Sequence, residues 1–511
     1  MKGICGVALR GTQAVPVEVE VEITGGLFSI TVVGLPDTAV KEARERVRAA
    51  LRGIGILLKG RIAINLAPAD LPKEGALLDL PMAVGLARAA GRIACDGPAL
   101  FLGELALDGR LRWVRGAVPA AVLARETGAP LYVSKENERE VALVSGVRAY
   151  AVETLLDLLL HLSGQKLLPE VENRGFEEAA FEAETDFADI KGQFAAKRAL
   201  EIAVAGHHNL LMSGSPGSGK TLLARAMKGI LPPLSDEEMM EVLLVRSTAG
   251  LPFEAARARP FRTAHHTAST VAICGGGAAM KPGEISLADR GVLFLDEFPE
   301  FSRDVLEALR QPLEDGIIVV SRAAGSVTYP ARVLLVTACN PCPCGYNGDP
   351  VEPCKCSQGA LERYRRKLSG PILDRIDLHV AVPRLRPEEL LSLEGGCGET
   401  SEVVRKRVQA ARATQQERWR PLGFVCNAEL PERVLRKHVE LEVDVKPFLA
   451  ATMKDLHLSG RGFSRVLRVA RTVADLEGAD RVAVHHVAEA LSYREGEALG
   501  RGPGGRAGWG A

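Results

Sequence analysis

The sequence has no net charge, no long apolar run and no apolar leader, and each absence removes a class of protein. Lys plus Arg and Asp plus Glu both number 64 in 511 residues. No global field therefore draws the chain toward nucleic acid or an anionic membrane, and any nucleic-acid contact must be a local patch. The opening MKGICGVALRG lacks the apolar core of a signal peptide, and the leucine-rich LLDLLLHL from Leu155 is too short to span a bilayer. A cytoplasmic protein with no membrane partner is expected. Ten cysteines in so long a chain are not a secreted disulfide framework, and no internal repeat is evident.

What is present is ample apolar material, 47% of the residues, with 25% charged, enough for several buried cores in more than one domain. The pattern predicts an α/β multi-domain chain. Residues 1–165 alternate β-rich runs such as VPVEVEVEITGG with helical stretches such as DTAVKEARERVRAALRGIG, an α+β domain. Residues 166–185 turn acidic and read as a linker. Residues 186–384 alternate strands and helices, as a parallel sheet covered on both faces should. Residues 385–495 are helical in pattern, and the Gly-rich 496–511 is expected to be disordered.

The chemistry concentrates in the third segment. The octet Gly214-Ser215-Pro216-Gly217-Ser218-Gly219-Lys220-Thr221 fits G-x-x-x-x-G-K-[ST] between an apolar run and a helix-like stretch. In such a loop backbone amides wrap the phosphates of ATP, Lys220 reaches the terminal ones and Thr221 binds Mg²⁺. A tight turn with an incidental lysine is the bland alternative, but a second element, GVLFLDE, follows at a plausible distance. Its apolar residues make a buried strand that ends in Asp296, a candidate Mg²⁺ residue, and Glu297, which can polarise the attacking water. A third apolar strand, ARVLLVTACN, ends in Asn340, whose amide can orient that water. In SGPILDRIDLHV, Arg375 is either half of a surface ion pair with Asp374 or Asp377, worth little, or an arginine finger for a neighbouring subunit's nucleotide.

Together these segments resemble an AAA+ ATPase. FRTAHHTAS, PGEISLADRGVLFLDEFPEF and SRAAGSVTYPARVLLVTACNPCPCG are similar to the Mg-chelatase-like group, and within it to the YifB/ComM family, with further matching motifs near both chain ends. The resemblance implies that Arg375 is the finger and that Arg461 is a second sensor on a helical lid of Mg-chelatase type. Arg465, Arg468 and Arg471 remain alternatives, because helical spacing puts several of them on overlapping faces. A finger acting in trans requires a ring, and the resemblance implies a hexamer. It also implies DNA as substrate: a helicase that drives branch migration during natural transformation, with recombination proteins as partners. The motor subunit of a magnesium chelatase is the second reading and an ATP-driven protein remodeller the third.

The segment from Gly316 to Val333 predicts a hairpin, and TVAICGGGAAMKPGE a flexible loop. Each is an ordinary connection or, by the resemblance, a pore element, in which Arg322, Ser326 and Lys281 touch a phosphate backbone. The amino-terminal LPKEGALLDLPMAVGLA and FLGELALDGRLRWVRGAV are similar to Lon-type protease domains of the ribosomal S5 domain 2-like fold. The serine and lysine such a site needs are missing: Ala76-Leu77-Leu78 and Val118 stand at those positions, and Lys73 is expected to be a surface lysine. A non-proteolytic platform for assembly or DNA binding is expected.

Cys342, Cys344, Cys354 and Cys356 form two C-x-C pairs on a Gly/Pro-rich loop. Four thiolates can close a tetrahedral Zn²⁺ site; free thiols in a loop are the alternative. His265 and His266 are adjacent, and neighbouring histidines rarely converge on one ion, so packing beside the phosphates is expected.

Overall fold

The computed structural model describes residues 3–494 except 36, 72, 74, 95–96, 179–184, 253–255, 278–279, 323–324, 369, 386–397 and 456–459. The acidic stretch is thus described only in part, and the Gly-rich tail lies outside the described residues.

The motor segment is built on a five-stranded sheet ordered Phe261–Ala264, Val292–Leu295, Leu334–Cys339, Leu210–Ser213, Leu378–Ala381, with every neighbouring pair parallel. Val292–Leu295, Leu334–Cys339 and Leu210–Ser213 are buried along their whole length, as strands covered on both faces must be, which is why they read as unbroken apolar runs. The Gly316–Val333 segment forms the expected antiparallel hairpin, Ile317–Arg322 paired with Gly325–Pro330. The TVAICGGGAAMKPGE segment is more ordered than a flexible loop: a short helix, Thr270–Cys274, leads into paired Gly275–Gly276 and Lys281–Pro282.

The amino-terminal domain has a seven-stranded mixed sheet in the order Ser29–Val33, Arg61–Ala67, Gln13–Thr24, Ile4–Arg10, Ala99–Leu102, Leu131–Ser134, Ala149–Val152. Alternating burial along Arg61–Ala67 turns Ile62, Ile64 and Leu66 toward the helix Thr38–Gly53. That helix starts where Asp37 accepts the Val40 amide at 2.7 Å. One of its basic residues, Arg46, makes a two-point pair with buried Asp79 at 2.7 and 3.0 Å. The beginning of the acidic stretch lies along this domain, Val171 N–H donating to Ala149 and Arg174 N–H to Ala142.

The two bodies share a core. Leu234, Met239, Val242 and Leu243, at and within the motor helix Asp236–Ala249, pack with Val114, Ala117, Ala121 and Val141 of the amino-terminal domain. Beyond the motor sheet, helices Ser401–Trp419, Val445–Asp455, Gly460–Leu476 and Val484–Ser492 pack against Phe194–Gly206 in the largest core. No helix is long and apolar enough to cross a membrane, among the described residues.

Candidate nucleotide site

The P-loop leaves the carboxyl end of Leu210–Ser213 and enters the helix Lys220–Ala226. Glycine is required at Gly214, where a Cβ would stand 2.1 Å from the Val382 carbonyl oxygen, and at Gly219, whose φ is +94°. Lys220 is buried and donates to the carbonyls of Gly214 at 2.6 Å and Ser215 at 3.0 Å and to Asn340 Oδ1 at 3.3 Å. Burial lowers its ammonium pKa, so an anion beside it relieves a desolvation cost. Ser213 and Ser218 hydroxyls are buried without a partner. Gln193 donates to the Ser218 carbonyl at 3.3 Å and to Pro383 at 2.7 Å, bracing the loop against the last strand.

Thr221 Oγ1 donates to Asp296 Oδ2 at 2.8 Å, and Glu297 N–H donates to Asp296 Oδ1 at 2.9 Å. A hydroxyl and a carboxylate side by side, with a lysine returning to the loop's own carbonyls, suit a divalent ion bound with a polyphosphate. Glu297 has a left-handed backbone (φ +50°), a conformation costly for a residue with a Cβ and recurrent at functional sites. Its carboxylate meets His266 Nδ1 at 2.9 Å. Sequence reading put His266 beside the phosphates without identifying this partner. The signal is the strand register, since Ala264 pairs with Leu295 and carries His266 to the strand end where Glu297 sits.

The cysteine loop lies against the P-loop. Sulfur separations are 3.3 Å for Cys342–Cys344, 3.7 Å for Cys342–Cys354 and 3.6 Å for Cys344–Cys354, and all four ligand atoms fall within 4.8 Å of one another. Hydrogen bonding by the Tyr346 amide pulls the Cys344 thiol down to about 6, while burial pushes the neighbouring Cys342 thiol up to about 12. Gly345 stands where a Cβ would be 2.6 Å from Pro216 Cδ. Tyr364 then donates to the Asn340 carbonyl at 3.1 Å. The donor set and its closeness fit Zn²⁺.

Arg375 lies at the opposite, amino-terminal end of the sheet. It pairs with Glu314 rather than with Asp374 or Asp377, and donates to the carbonyls of Arg310 at 3.1 Å and Pro371 at 2.8 Å. With Arg290, Arg332, Arg461, Arg465 and Arg468 it lines a cavity of about 660 Å³. Arg461 is exposed there; Arg465 is 3.6 Å from Asp377 and keeps a buried Nη1 without a partner. Arg468 donates to Leu430 at 2.8 Å. Arg471 faces inward, bound to Asp475 at 2.9 Å and Asp480 at 2.7 Å. Among the described residues, the cavity lined by Arg461, Arg465 and Arg468 includes none from the P-loop.

Lys73 corrects a sequence expectation: it is fully buried, not at the surface, and donates to the Pro68 carbonyl. The turn carrying it folds inward, and burial lowers its pKa. Leu77, Leu78 and Val118, where the resemblance led us to look for a serine and a lysine, are core residues. Of the hairpin residues, Ser326 is exposed and meets Ser321 at 3.1 Å; the Arg322 side chain lies outside the described residues.

Family models match nearly the whole chain: "Magnesium chelatase, subunit ChlI" over residues 186–390, "Subunit ChlI of Mg-chelatase" over 19–137, and "Magnesium chelatase, subunit ChlI C-terminal" over 398–494. The chain is 45% identical to the competence protein ComM of Haemophilus influenzae over 95% of its own length and 96% of that protein's. It is 44% identical to YifB of Salmonella typhimurium over the same two shares, 95% and 96%. A more distant relative is the chloroplastic magnesium-chelatase subunit ChlI of Chlamydomonas reinhardtii, 26% identical over 58% of this chain and 71% of that one.

Proposed function

Because this chain belongs to the Mg-chelatase-like YifB/ComM family of AAA+-type ATPases, we propose that it forms a ring, hexameric by family analogy, that spends ATP hydrolysis on remodelling DNA. The step is assigned to branch migration as DNA is integrated in competence. The observation that carries the reading is the division of one sheet into two half-sites. One end has Lys220, Thr221, Asp296, Glu297 and Asn340; the other has an arginine-lined cavity with no P-loop beside it. A ring joins the first half of one subunit to the second half of its neighbour.

In that arrangement Lys220 and the P-loop amides hold the phosphates, and Thr221 with Asp296 holds Mg²⁺. Mg²⁺ held there would supply charge neutralisation at the phosphates. Glu297 accepts a proton from the attacking water, Asn340 orients that water, and His266 restrains Glu297 between turnovers. Arg375 of the neighbouring subunit, with Arg461 or Arg465 beside it, stabilises the charge that leaves with the terminal phosphate. The exposed Arg461 and the unpartnered Arg465 Nη1 support this set, whereas inward-facing Arg471 is structural.

Zinc at Cys342, Cys344, Cys354 and Cys356 has a role in this scheme. Closing that loop stiffens the contact of Gly345 with Pro216, and so the P-loop itself.

The hydrolysis rate of the purified protein alone, with single-stranded DNA and with a four-way junction tests the proposal, Glu297→Gln serving as blank. Stimulation by DNA is expected. An assembled ring with basal hydrolysis that DNA leaves unchanged overturns the DNA substrate and moves the reading to a chelatase-type partner, which the match to the ChlI models favours.

A further inference from the structure

Nucleotide chemistry leaves unused the cleft between the amino-terminal domain and the motor hairpin, a cavity of about 290 Å³. Arg10 and Asp70 line it from the amino-terminal domain, Arg115 and Thr248 where the two bodies join, and Lys281 and Ser326 from the motor. Its lining has three cations to one anion, in a chain whose total charge is zero. Arg10 and Lys281 are both exposed, and neither side chain has a partner among the described residues.

The cleft is held open by contacts on two sides. At the turn after Ile4–Arg10, a Cβ on Gly11 would stand 2.7 Å from Val327 Cγ1, so the turn already rests on the hairpin and carries Arg10 with it. Farther back, Ser247 accepts the Gly116 amide at 3.0 Å on its carbonyl and the Val118 amide at 3.3 Å on its hydroxyl. Tyr329 Oη donates to the Met280 carbonyl at 2.7 Å, tying the hairpin to the segment that presents Lys281.

We infer that this cleft binds the phosphate backbone of a DNA strand, with Arg10 of the amino-terminal domain as a contact in addition to Lys281 and Ser326 of the motor. The inference rests on the DNA-remodelling reading and deepens it by giving the amino-terminal domain a place on the substrate's path. The ligand class follows from the polar groups set in a largely apolar lining: Arg10, Lys281 and Ser326 suit phosphate oxygens. The one aromatic ring there, Tyr329, is buried and has its hydroxyl engaged, so no platform is offered to a base. Recognition here is therefore independent of sequence.

The test is the binding of a fluorescein-labelled oligo-thymidine strand to the full-length protein across a KCl series. Arg10→Ala is expected to flatten the log–log salt slope by about 0.7, the share of one phosphate contact on a single strand, and Arg10→Lys to restore it. Asp70→Asn is expected to tighten binding severalfold, which a merely structural role of that residue does not produce. This second variant carries the test if Arg10→Ala fails to fold. Wild-type slope in Arg10→Ala, or no tightening in Asp70→Asn, overturns the assignment while leaving the DNA reading intact. Wild-type protein that binds no strand at any salt overturns both.

Discussion

The two ends of the motor sheet differ in how far each is satisfied within one chain. At the carboxyl ends of the strands, the charged groups Lys220, Asp296 and Glu297 and the Thr221 hydroxyl have partners within reach, down to the His266 contact, and the neutral Ser213 and Ser218 hydroxyls at the loop are buried without one. At the amino ends, six arginines surround an open cavity and one of them keeps a buried donor without a partner. Buried polar groups are normally satisfied, so the Arg465 Nη1 at the second end calls for a partner from outside the chain.

The comparison breaks most visibly at Arg375. Arg375→Ala is expected to leave ATP affinity within about threefold and to lower turnover by on the order of 10³-fold, read by nucleotide titration and steady-state hydrolysis. Normal turnover would remove the neighbour-facing role of that end. Lys220→Ala should do the reverse, weakening ATP binding by roughly 100-fold, or about 3 kcal/mol. If affinity were preserved, the carboxyl end would not be the binding half.

Stability gives a smaller contrast. Asp289 lies near the arginine end, its Oδ1 accepting the Arg332 amide at 2.7 Å and its Oδ2 buried without a partner. Burial holds its carboxyl up to about 6. The folded chain thus takes up this proton more readily than the unfolded chain, whose carboxyl titrates near 4, and the stability from this site falls as pH rises from about 4 through 6. Asp289→Asn should abolish that fall and raise stability at pH 8 by about 2 kcal/mol, as denaturant titrations at pH 4 and pH 8 would reveal. Equal pH dependence in both proteins would show Asp289 to be compensated. The smallest effect is expected at His266: His266→Ala should change the basal hydrolysis rate by about tenfold while sparing ATP affinity. An unchanged rate would leave its contact with Glu297 without a catalytic role.

The unequal satisfaction of the two ends also explains what was legible before folding. The P-loop, the Asp-Glu strand and the Asn strand are read from short spans because each combines an apolar strand with a polar terminus. The sheet then brings those termini together by parallel register, Ser213 opposite Cys339 and Leu295 opposite Thr337. The arginines resisted the same treatment. Arg461, Arg465, Arg468 and Arg471 share one amphipathic helix, and periodicity gave no means to choose among them; packing sends Arg471 inward to Asp475 and Asp480 and Arg465 toward Asp377. Lys73 was misplaced for a related reason. A Pro-Lys-Glu-Gly stretch looks exposed in sequence, yet Lys73 is buried and donates to the Pro68 carbonyl inside the domain.

By itself, the sequence determined the order of strands and helices around the P-loop, the polar residues that end those strands, and the clustering in sequence of four cysteines. Each depends on neighbours within a few residues, and local backbone geometry follows from them. Tertiary structure alone decided that His266 meets Glu297, that the cysteine loop braces Pro216, that Arg10 lines one cleft with Lys281, and that Arg375, Arg461, Arg465 and Arg468 share one cavity. These groups lie from 31 to 271 residues apart in the chain (His266 to Glu297, Arg10 to Lys281). Only the packing of the sheet, the helical region and the amino-terminal domain sets the distances between them.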